Sequence, residues 1–291
     1  MANTQDLRRR IKSIRNTAQI TKAMQMVAAS KMRKAQMQAL AGRPYAGLMN
    51  RVLVSLQQRT DAALHPLLQV REVKRELVIV ISTDKGLAGA LNTNLLREAG
   101  NFEAEKTAYV VIGRKARVFL ARTRREIAAD FELKDAPAFI ETKAISQFVT
   151  ERFLSGEVDR VSVLFSHFVN TINQRPTVRT LLPITNFEVA QASAADASAN
   201  GKDPMTGYIF EPNPEAVLDV MLPYYLQYQL FQMILDARAS EHSARMVAMK
   251  NATDNAKQFI KDLTLEYNKV RQASITTELL EIATAQMALG G

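Results

Sequence analysis

The fold is decided by residues 224–289, which read YYLQYQLFQMILDARASEHSARMVAMKNATDNAKQFIKDLTLEYNKVRQASITTELLEIATAQMAL. This stretch of 66 residues contains neither proline nor glycine. At a rise of ~1.5 Å per residue, an unbroken helix of this length would extend roughly 100 Å. Residues 1–41 also lack both helix breakers, which allows a second helix of roughly 60 Å. Because globular helices average only about 11–12 residues, the pattern predicts a rod that carries a separate body.

Both terminal segments repeat small or apolar residues at alternating spacings of four and three. In the first segment the series is Leu7, Ile11, Ile14, Ala18, Ala28, Met32, Ala35 and Ala39, with polar members at Thr21 and Gln25. In the last segment it is Phe259, Leu263, Val270, Ala273, Leu280 and Met287. This spacing is typical of helices that pack side by side, so the two series predict a long antiparallel coiled coil of the N- and C-terminal helices.

The second helix is the longer one, so its end is expected to project beyond its partner. After Arg271 the chain has no basic residue, and its charged residues there are Glu278 and Glu281. Residues 283–289 read ATAQMAL. A smooth, nearly uncharged tip of this kind suits insertion into an apolar socket.

Between the terminal helices, β-branched runs alternate with helical patterns. Buried strands are predicted over residues 76–82, 107–112 and 160–168, and a weaker extended segment over 177–184 follows a predicted turn at 174–176. Helices are predicted over 87–99, 114–122 and 145–154. This alternation predicts an inserted, mostly parallel, Rossmann-like α/β domain.

The chain is therefore expected to divide into four parts. Residues 1–64 form the N-terminal coiled-coil helix and a further helical stretch, interrupted near Gly42, and residues 75–190 form the Rossmann-like domain. Residues 191–212 form a loop and a short strand, and residues 213–291 form the long C-terminal coiled-coil helix.

Basic charge is concentrated at the amino terminus. Residues 1–43 contain ten of the 38 basic residues and a single acidic one, Asp6, so the formal net charge of +9 belongs to the first helix. Such concentration indicates an acidic partner, which is nucleic acid, anionic lipid or an acidic protein surface. Nucleic acid is the less favoured of these, because residues 1–43 contain no aromatic side chain to stack on bases.

Several kinds of site are not expected. The chain has no cysteine, which excludes disulfides, thiol chemistry and cysteine-ligated zinc. The histidines His65, His167 and His242 lie in different predicted elements without the spacing of metal ligands, so no metal site and no catalytic residue is predicted. The longest strongly apolar run, residues 77–81, is far short of the ~20 residues that span a bilayer. A cytosolic or cytosol-facing location is expected.

A glycine-containing turn at residues 82–89, STDKGLAG, follows the first predicted strand. Doubly wound folds bind phosphate at such turns. This turn has neither the G-x-G-x-x-G pattern nor the lysine spacing of a P-loop. It is interpreted as a tight turn between strand and helix, and a nucleotide-using enzyme would instead need a ligand at residues 86–89.

Long motifs at both ends of the chain resemble one known family. They are IKSI (11–14), ITKAM (20–24), MVAASKM (26–32), ARMVAMKNATDNA (244–256) and YNKVRQASITTE (267–278). These segments closely resemble the gamma subunit of bacterial F-type ATP synthases, and STDKGL (82–87) and YIFEP (208–212) fit the same family. The resemblance is dense at both ends and looser in the middle.

The resemblance implies a central rotor shaft that turns inside a hexameric head of alternating alpha and beta subunits. Rotation of the membrane ring by proton or sodium flow would drive ATP synthesis in the head, and the shaft would regulate ATPase activity and ion flow. The chain would be a non-catalytic subunit without a cofactor. Its partners would be the alpha and beta subunits, the epsilon subunit and the c-ring, with no nucleic acid. It would lie peripherally on the cytoplasmic face of the inner membrane, and a coiled-coil nucleic-acid-binding adaptor remains the alternative.

The resemblance also implies contact residues. Those expected to touch the alpha/beta head are Lys22, Met24, Lys31, Arg33, Arg245, Gln272 and Thr276. Those expected to hold epsilon and the ring are Tyr208, Phe210 and Glu211.

Overall fold

The computed structural model describes residues 4–57, 65–185 and 210–289. Its helices are α1 (Thr4–Ala41), α2 (Arg43–Gln57), α3 (Leu91–Gly100), α4 (Arg114–Arg122), α5 (Lys143–Leu154) and α6 (Pro214–Leu289). Its strands are β1 (Glu76–Ile81), β2 (Thr107–Ile112), β3 (Ile127–Phe131), β4 (Arg160–Phe168) and β5 (Gln174–Leu182). The chain forms two compact units, one of Met1–Ala29 with Arg245–Gly291 and the other of Ser30–Ala244.

The first unit is an antiparallel pair of helices, as the heptad spacing predicts. The hydroxyl oxygens of Thr21 and Thr253 lie 2.7 Å apart in the buried seam. Further along, the Arg8 guanidinium donates to the Tyr267 hydroxyl and lies 5.4 Å from the centre of that ring. Because lower numbers on α1 meet higher numbers on α6, the two helices run in opposite directions.

The seam of α6 in this unit differs from the predicted series. Its buried and half-buried members at alternating spacings of four and three are Met249, Thr253, Ala256, Ile260, Leu263, Tyr267 and Val270. Leu263 and Val270 were expected, but Phe259 is 60% exposed. Burial depends on which side of α6 faces α1, and that side passes through Ala256 and Ile260 instead of Phe259.

The projecting end of α6 is confirmed. Arg8 meets Tyr267, and α1 begins only four residues earlier, at Thr4. Every residue from 271 to 287 is exposed. The antiparallel register therefore leaves no residue of α1 to cover the last turns of α6.

The second unit contains a five-stranded sheet in the order β3-β2-β1-β4-β5. The β2–β1, β1–β4 and β2–β3 pairs are parallel, and β4–β5 is antiparallel. The strand order matches the first five strands of the doubly wound arrangement. The predicted Rossmann-like domain is confirmed.

Strand β1 is buried on both faces, which explains its continuous apolar run. Leu77, Ile79 and Ile81 pack into a core shared with α2, α5 and α6. Val78 and Val80 face the opposite side, into a smaller core shared with α3 and α4. Alternate side chains of one strand thus hold helices to both faces of the sheet.

Two predicted boundaries were wrong for identifiable reasons. Helix α3 begins at Leu91 rather than at residue 87, because Leu87 (φ 63°) and Gly89 (φ 58°) have left-handed backbones that a right-handed helix cannot include. The predicted turn at residues 174–176 lies in β5, and the chain reverses at residues 169–173 instead. Pro176 is tolerated because β5 is an edge strand of the described sheet.

Strand β3 was not predicted. Its sequence IAADF contains two alanines and an aspartate, which have weak strand propensity. It forms because β2 offers a parallel partner, with Tyr109 opposite Ile127. Pairing with β2, and not the local strand propensity, therefore determines that this strand forms.

The interruption between α1 and α2 at Gly42 is confirmed. The helical stretch that follows is described as far as Gln57, and residues 58–64 lie outside the described part. Residues 186–209 also lie outside it, with most of the predicted loop and strand. The four-part division of the chain stays a prediction.

A close contact ties the end of β1 to the start of α4. Ser82 Oγ accepts the amide hydrogen of Ala116 at 2.9 Å and donates to the Gly113 carbonyl at 3.1 Å. Gly113 has φ 101°, and an added Cβ there would lie 2.3 Å from the Ser82 carbonyl oxygen. Only glycine satisfies both the backbone angle and the contact.

We expect Gly113→Ala to destabilise the chain by about 2–4 kcal/mol, because it adds backbone strain and a clash with another main chain. Gly47→Ala is the matched control, since a Cβ at Gly47 meets nothing within 4 Å in helix α2. The control should be neutral or stabilising by up to ~1 kcal/mol. Urea unfolding of the full chain measures both, and equal midpoints would contradict the assignment.

Candidate partner-contact surfaces

Lys22 and Met24 belong to the helix-pair unit. Lys22 is exposed, and its Nζ donates to Gln25 Oε1 at 3.4 Å within the same helix. Met24 is half-buried, while Ile20 and Val27 on the same face of α1 are 60% and 55% exposed. This side of α1 therefore presents an uncovered apolar stripe, which suits contact with another protein. Lys22 lies two residues from both Ile20 and Met24 and so points to a different side of the helix.

Gln272 and Thr276 lie on the projecting end of α6. Both are exposed, and the Thr276 hydroxyl donates to the Gln272 carbonyl at 2.9 Å. The exposed large apolar side chains around them are Ile275 (48%), Leu279 (62%), Leu280 (62%), Ile282 (61%) and Met287 (80%). A run of such side chains along one uncovered helix marks an interaction surface.

Arg245 is half-buried, at the beginning of the α6 segment that belongs to the helix-pair unit. Arg33 is exposed and belongs to the other unit. The structure thus distributes the expected head contacts over both units. It brings Gln272 and Thr276 together on one helical turn.

Lys31 has a partner within the chain that its sequence context did not reveal. Its Nζ forms an ion pair with Asp135, in the loop after β3. His242 Nε2, from α6, lies 3.1 Å from the other oxygen of the same carboxylate. Lys31 remains half exposed, so one face of its ammonium group can still meet a partner.

The Asp135 carboxylate is held in its charged form. Its burial acts to raise the pKa, but the Lys31 hydrogen bond and the basic groups of His242 and Arg238 outweigh burial. The pKa of Asp135 therefore lies below its ordinary value of 3.8. The carboxylate joins α1 and α6 to a loop of the α/β sheet.

The expected contacts for epsilon and the ring are described only in part. Tyr208 lies outside the described residues. Phe210 is half-buried and packs against the larger core of the α/β unit, whereas Glu211 is exposed. The aromatic ring anchors this segment, and the carboxylate is available to a partner.

The turn at residues 82–89 ends β1 and precedes α3. A doubly wound fold binds its ligand at this edge of the sheet. Here Arg238 from α6 lies against the turn, with its side chain 4% exposed and its Nη2 3.7 Å from Asp84 Oδ2. The edge is covered by the chain's own helix, which the sequence did not reveal.

Each of the three histidines pairs with an aspartate. His65 lies 3.1 Å from Asp219, His167 contacts Asp236, and His242 contacts Asp135. Among the residues that the structure describes, no group of three or more His, Cys, Asp or Glu side chains is placed to hold a metal ion. Across those same residues, no helix combines the length and apolarity that crossing a membrane requires.

Two long antiparallel helices, an uncovered apolar tip and a Rossmann-like body define a helical shaft subunit of a larger assembly. A family model described as ATP synthase matches residues 3–289. The ATP synthase gamma chain of Methylacidiphilum infernorum is 50% identical over 100% of both chains, and that of Opitutus terrae is 50% identical over 99% of both. The chain belongs to the ATP synthase gamma-chain family.

Solved structures share the fold. A chain of the Euglena gracilis mitochondrial ATP synthase (OSCP, F1 and c-ring, rotational state 3) superposes with a TM-score of 0.67 at 21% identity, covering 98% of this chain and 94% of that one. A chain of the Tetrahymena thermophila mitochondrial ATP synthase (central stalk and c-ring) has a TM-score of 0.60 at 24% identity, covering 80% and 99%. The alternative of a nucleic-acid-binding adaptor has no support, because the family match spans nearly the whole chain.

Replacement of Asp135 by asparagine tests the carboxylate that joins Lys31 and His242. A pKa lowered by folding stabilises the folded state above the unfolded pKa, and this stabilisation is lost as pH falls through the folded pKa. Asp135→Asn should therefore cost about 1 kcal/mol at pH 7, a value kept small by the exposure of the pair. The difference from the wild-type chain should shrink as the solution is acidified below pH 3.8.

Urea unfolding at a series of pH values measures this difference. Glu132→Gln is the control, because the Glu132 side chain is 89% exposed and lies 3.9 Å from Arg117. It should change stability by less than ~0.5 kcal/mol at any of these pH values. A penalty for Asp135→Asn that stays constant down to acidic pH would contradict the ionic role.

Proposed function

We propose that this gamma chain is the rotating shaft that couples an ion-driven membrane ring to ATP synthesis in an alpha/beta head. The observation that carries this function is the uncovered end of α6, where residues 271–287 are all exposed. An isolated helix with such an apolar surface is unfavourable in water, and a surrounding socket would bury it. The sequence identity of 50% to two ATP synthase gamma chains, over 99% or more of each chain, supports the same function.

The chemistry of the tip suits a part that turns. No basic residue follows Arg271, so rotation inside a socket need not break and remake strong ion pairs there. Contact through apolar side chains is non-directional, and its energy depends mainly on buried area. The free energy of contact between the tip and the socket can therefore be similar in three successive orientations of the shaft.

The chain itself performs no chemistry in this proposal. An asymmetric helix pair presents a different side to each catalytic site and changes the nucleotide affinity of that site. A change of 1.4 kcal/mol in contact energy corresponds to about tenfold in affinity. Three sites around one shaft would thus bind, react and release in turn, and the shaft would regulate ATPase activity and ion flow.

The proposed partners extend from the head to the membrane. Relatives of this fold were solved with F1, a central stalk and a c-ring. By analogy, the tip and helix pair would meet alpha and beta, and Tyr208, Phe210 and Glu211 would meet epsilon and the ring. The chain would be peripheral at the cytoplasmic face of the inner membrane, attached through the complex that carries protons or sodium ions.

We place the head contacts at Lys22, Met24, Lys31, Arg33, Arg245, Gln272 and Thr276. The basic members suit acidic loops of the catalytic subunits. Removing one partner of a partly desolvated pair of opposite charge weakens binding by several kcal/mol. Contacts of this strength would transmit torque at the points where the shaft must push.

Replacing Leu279, Leu280 and Ile282 together with glutamine tests the socket. These side chains are about three-fifths exposed, so the stability of the isolated chain should change by less than ~0.5 kcal/mol per site. In the reconstituted complex, ATP synthesis should fall several-fold, because polar side chains would be forced into an apolar socket. The ratio of one shaft to three alpha–beta pairs in the purified complex checks assembly.

The matched control replaces Val70, Val118 and Ile172 with glutamine. These are exposed apolar residues of the α/β unit, at 74%, 57% and 83%. Full synthesis activity with the tip variant, or an equal loss with the control, would contradict insertion of α6 into the head.

Neutralising Lys22, Lys31 and Arg33 with glutamine tests the charge contacts. ATP-driven ion pumping by the complex should fall several-fold. A control with Arg97, Lys106 and Arg122 changed to glutamine removes the same charge from exposed positions of the α/β unit. Because Lys31 also binds Asp135, the Asp135→Asn complex shows how much of the loss comes from that internal pair. Unchanged pumping would refute the charge contacts and leave the shaft function standing.

A further inference from the structure

The strand order of the α/β unit identifies one place where a ligand would be expected. In open parallel sheets, ligands bind outside the carboxyl ends of the strands, where the strand order reverses. Strand β1 lies between β2 and β4, so the reversal falls between β1 and β4. The loop after β1, residues 82–90, forms the wall of this crevice.

The side chain of Arg238 lies in the crevice. Its Nη1 donates to Glu241 Oε2 at 2.9 Å, one turn further along α6. Its Nη2 donates to the Leu133 carbonyl at 3.2 Å and lies 3.7 Å from Asp84 Oδ2. The guanidinium therefore joins α6 to the loops that follow β1 and β3.

The acceptors around this guanidinium are positioned in advance. Asp84 Oδ1 accepts the amide hydrogen of Arg114 at 3.1 Å, which orients its carboxylate at the start of α4. Glu241 is buried, with 7% of its side chain exposed. Two carboxylates and a carbonyl that converge on one planar cation form the donor–acceptor set by which proteins recognise guanidinium groups.

The rest of the crevice is almost full. A cavity of about 10 Å³ remains beside Arg238. Its walls are both polar, from Ser82, Thr83, Asn92 and Ser166, and apolar, from Ile81, Leu91, Leu95 and Ala237. Arg238 Nε is buried and has no hydrogen-bond partner among the described residues. The acceptors that converge on the guanidinium, and not the lining of this cavity, distinguish the site from a joint made only by apolar packing.

We infer that Arg238 is a built-in ligand, and that the site around it is selective for a planar guanidinium cation. The side chain occupies the position that a diffusible ligand has in other doubly wound folds and thereby fastens α6 to the sheet. The carboxylates of Asp84 and Glu241 would repel phosphate, so the crevice is unsuited to nucleotides. This inference does not depend on the rotary function.

A site preformed for guanidinium should keep its shape once the side chain is removed, whereas one held open only by the ion pair should collapse. Arg238→Ala vacates the site and leaves two oriented carboxylates, so free guanidinium should bind there. We expect the full chain with this substitution to melt several degrees below wild type. Guanidinium chloride at ~10 mM should then raise its melting temperature by about 2–4 °C relative to the same concentration of NaCl.

Two controls define the specificity. Arg117→Ala removes a half-exposed arginine that pairs with Asp130 at 2.8 Å. Guanidinium should raise the melting temperature of neither this variant nor the wild-type chain. Arg238→Ala combined with Glu241→Gln removes the main charged acceptor. The double variant should fold, and its melting temperature should be the same in guanidinium chloride as in NaCl.

If Arg238→Ala does not fold alone, its refolded yield in ~10 mM guanidinium chloride against NaCl replaces the melting measurement. A higher yield with guanidinium supports the inference. A gain of equal size in wild type, in Arg117→Ala or in the double variant would overturn it. So would an Arg238→Ala chain that shows no response to guanidinium, or one that melts no lower than Arg117→Ala.

Discussion

The register between α1 and α6 is set by a polar contact in a seam of small and apolar side chains. The Thr21 and Thr253 hydroxyls lie 2.7 Å apart, and each also lies within hydrogen-bond distance of a carbonyl in its own helix, Ala18 at 3.1 Å and Met249 at 2.8 Å. One hydroxyl can donate across the seam while the other donates to its own helix. A shift of one helical turn would separate the two hydroxyls, and each would keep only the hydrogen bond to its own helix.

This register determines the residue of α6 at which contact with α1 ends. With Arg8 opposite Tyr267, α1 is exhausted near Val270, and the apolar residues beyond it stay exposed. The surface that the proposed function needs is therefore a consequence of unequal helix lengths. A longer α1 would hide the same side chains and remove the tip from contact with any other protein.

Helix α6 serves a different purpose in the α/β unit. Leu222, Leu226 and Ile234 enter the larger core of the sheet and bury apolar area there. Arg238 and His242, one turn apart, hold the loops after β1 and β3 by charge and hydrogen bonds. Apolar packing fixes the helix on the sheet, and the directional contacts fix its rotation and its position along the axis, because they work only within hydrogen-bond distance.

The amino-acid sequence by itself determined the two long helices, the seam of α1, the buried strands and the family. Each of these depends on residue types at short, regular spacings, so β2, α4 and β4 were predicted with the bounds that the structure has. Strand β3 and the start of α3 depended on a neighbouring strand and on two left-handed residues. Only the tertiary structure decided which charges have internal partners. Lys31 meets Asp135 and Arg238 meets Asp84, and pairs formed by residues more than a hundred positions apart leave no periodic trace in a single sequence.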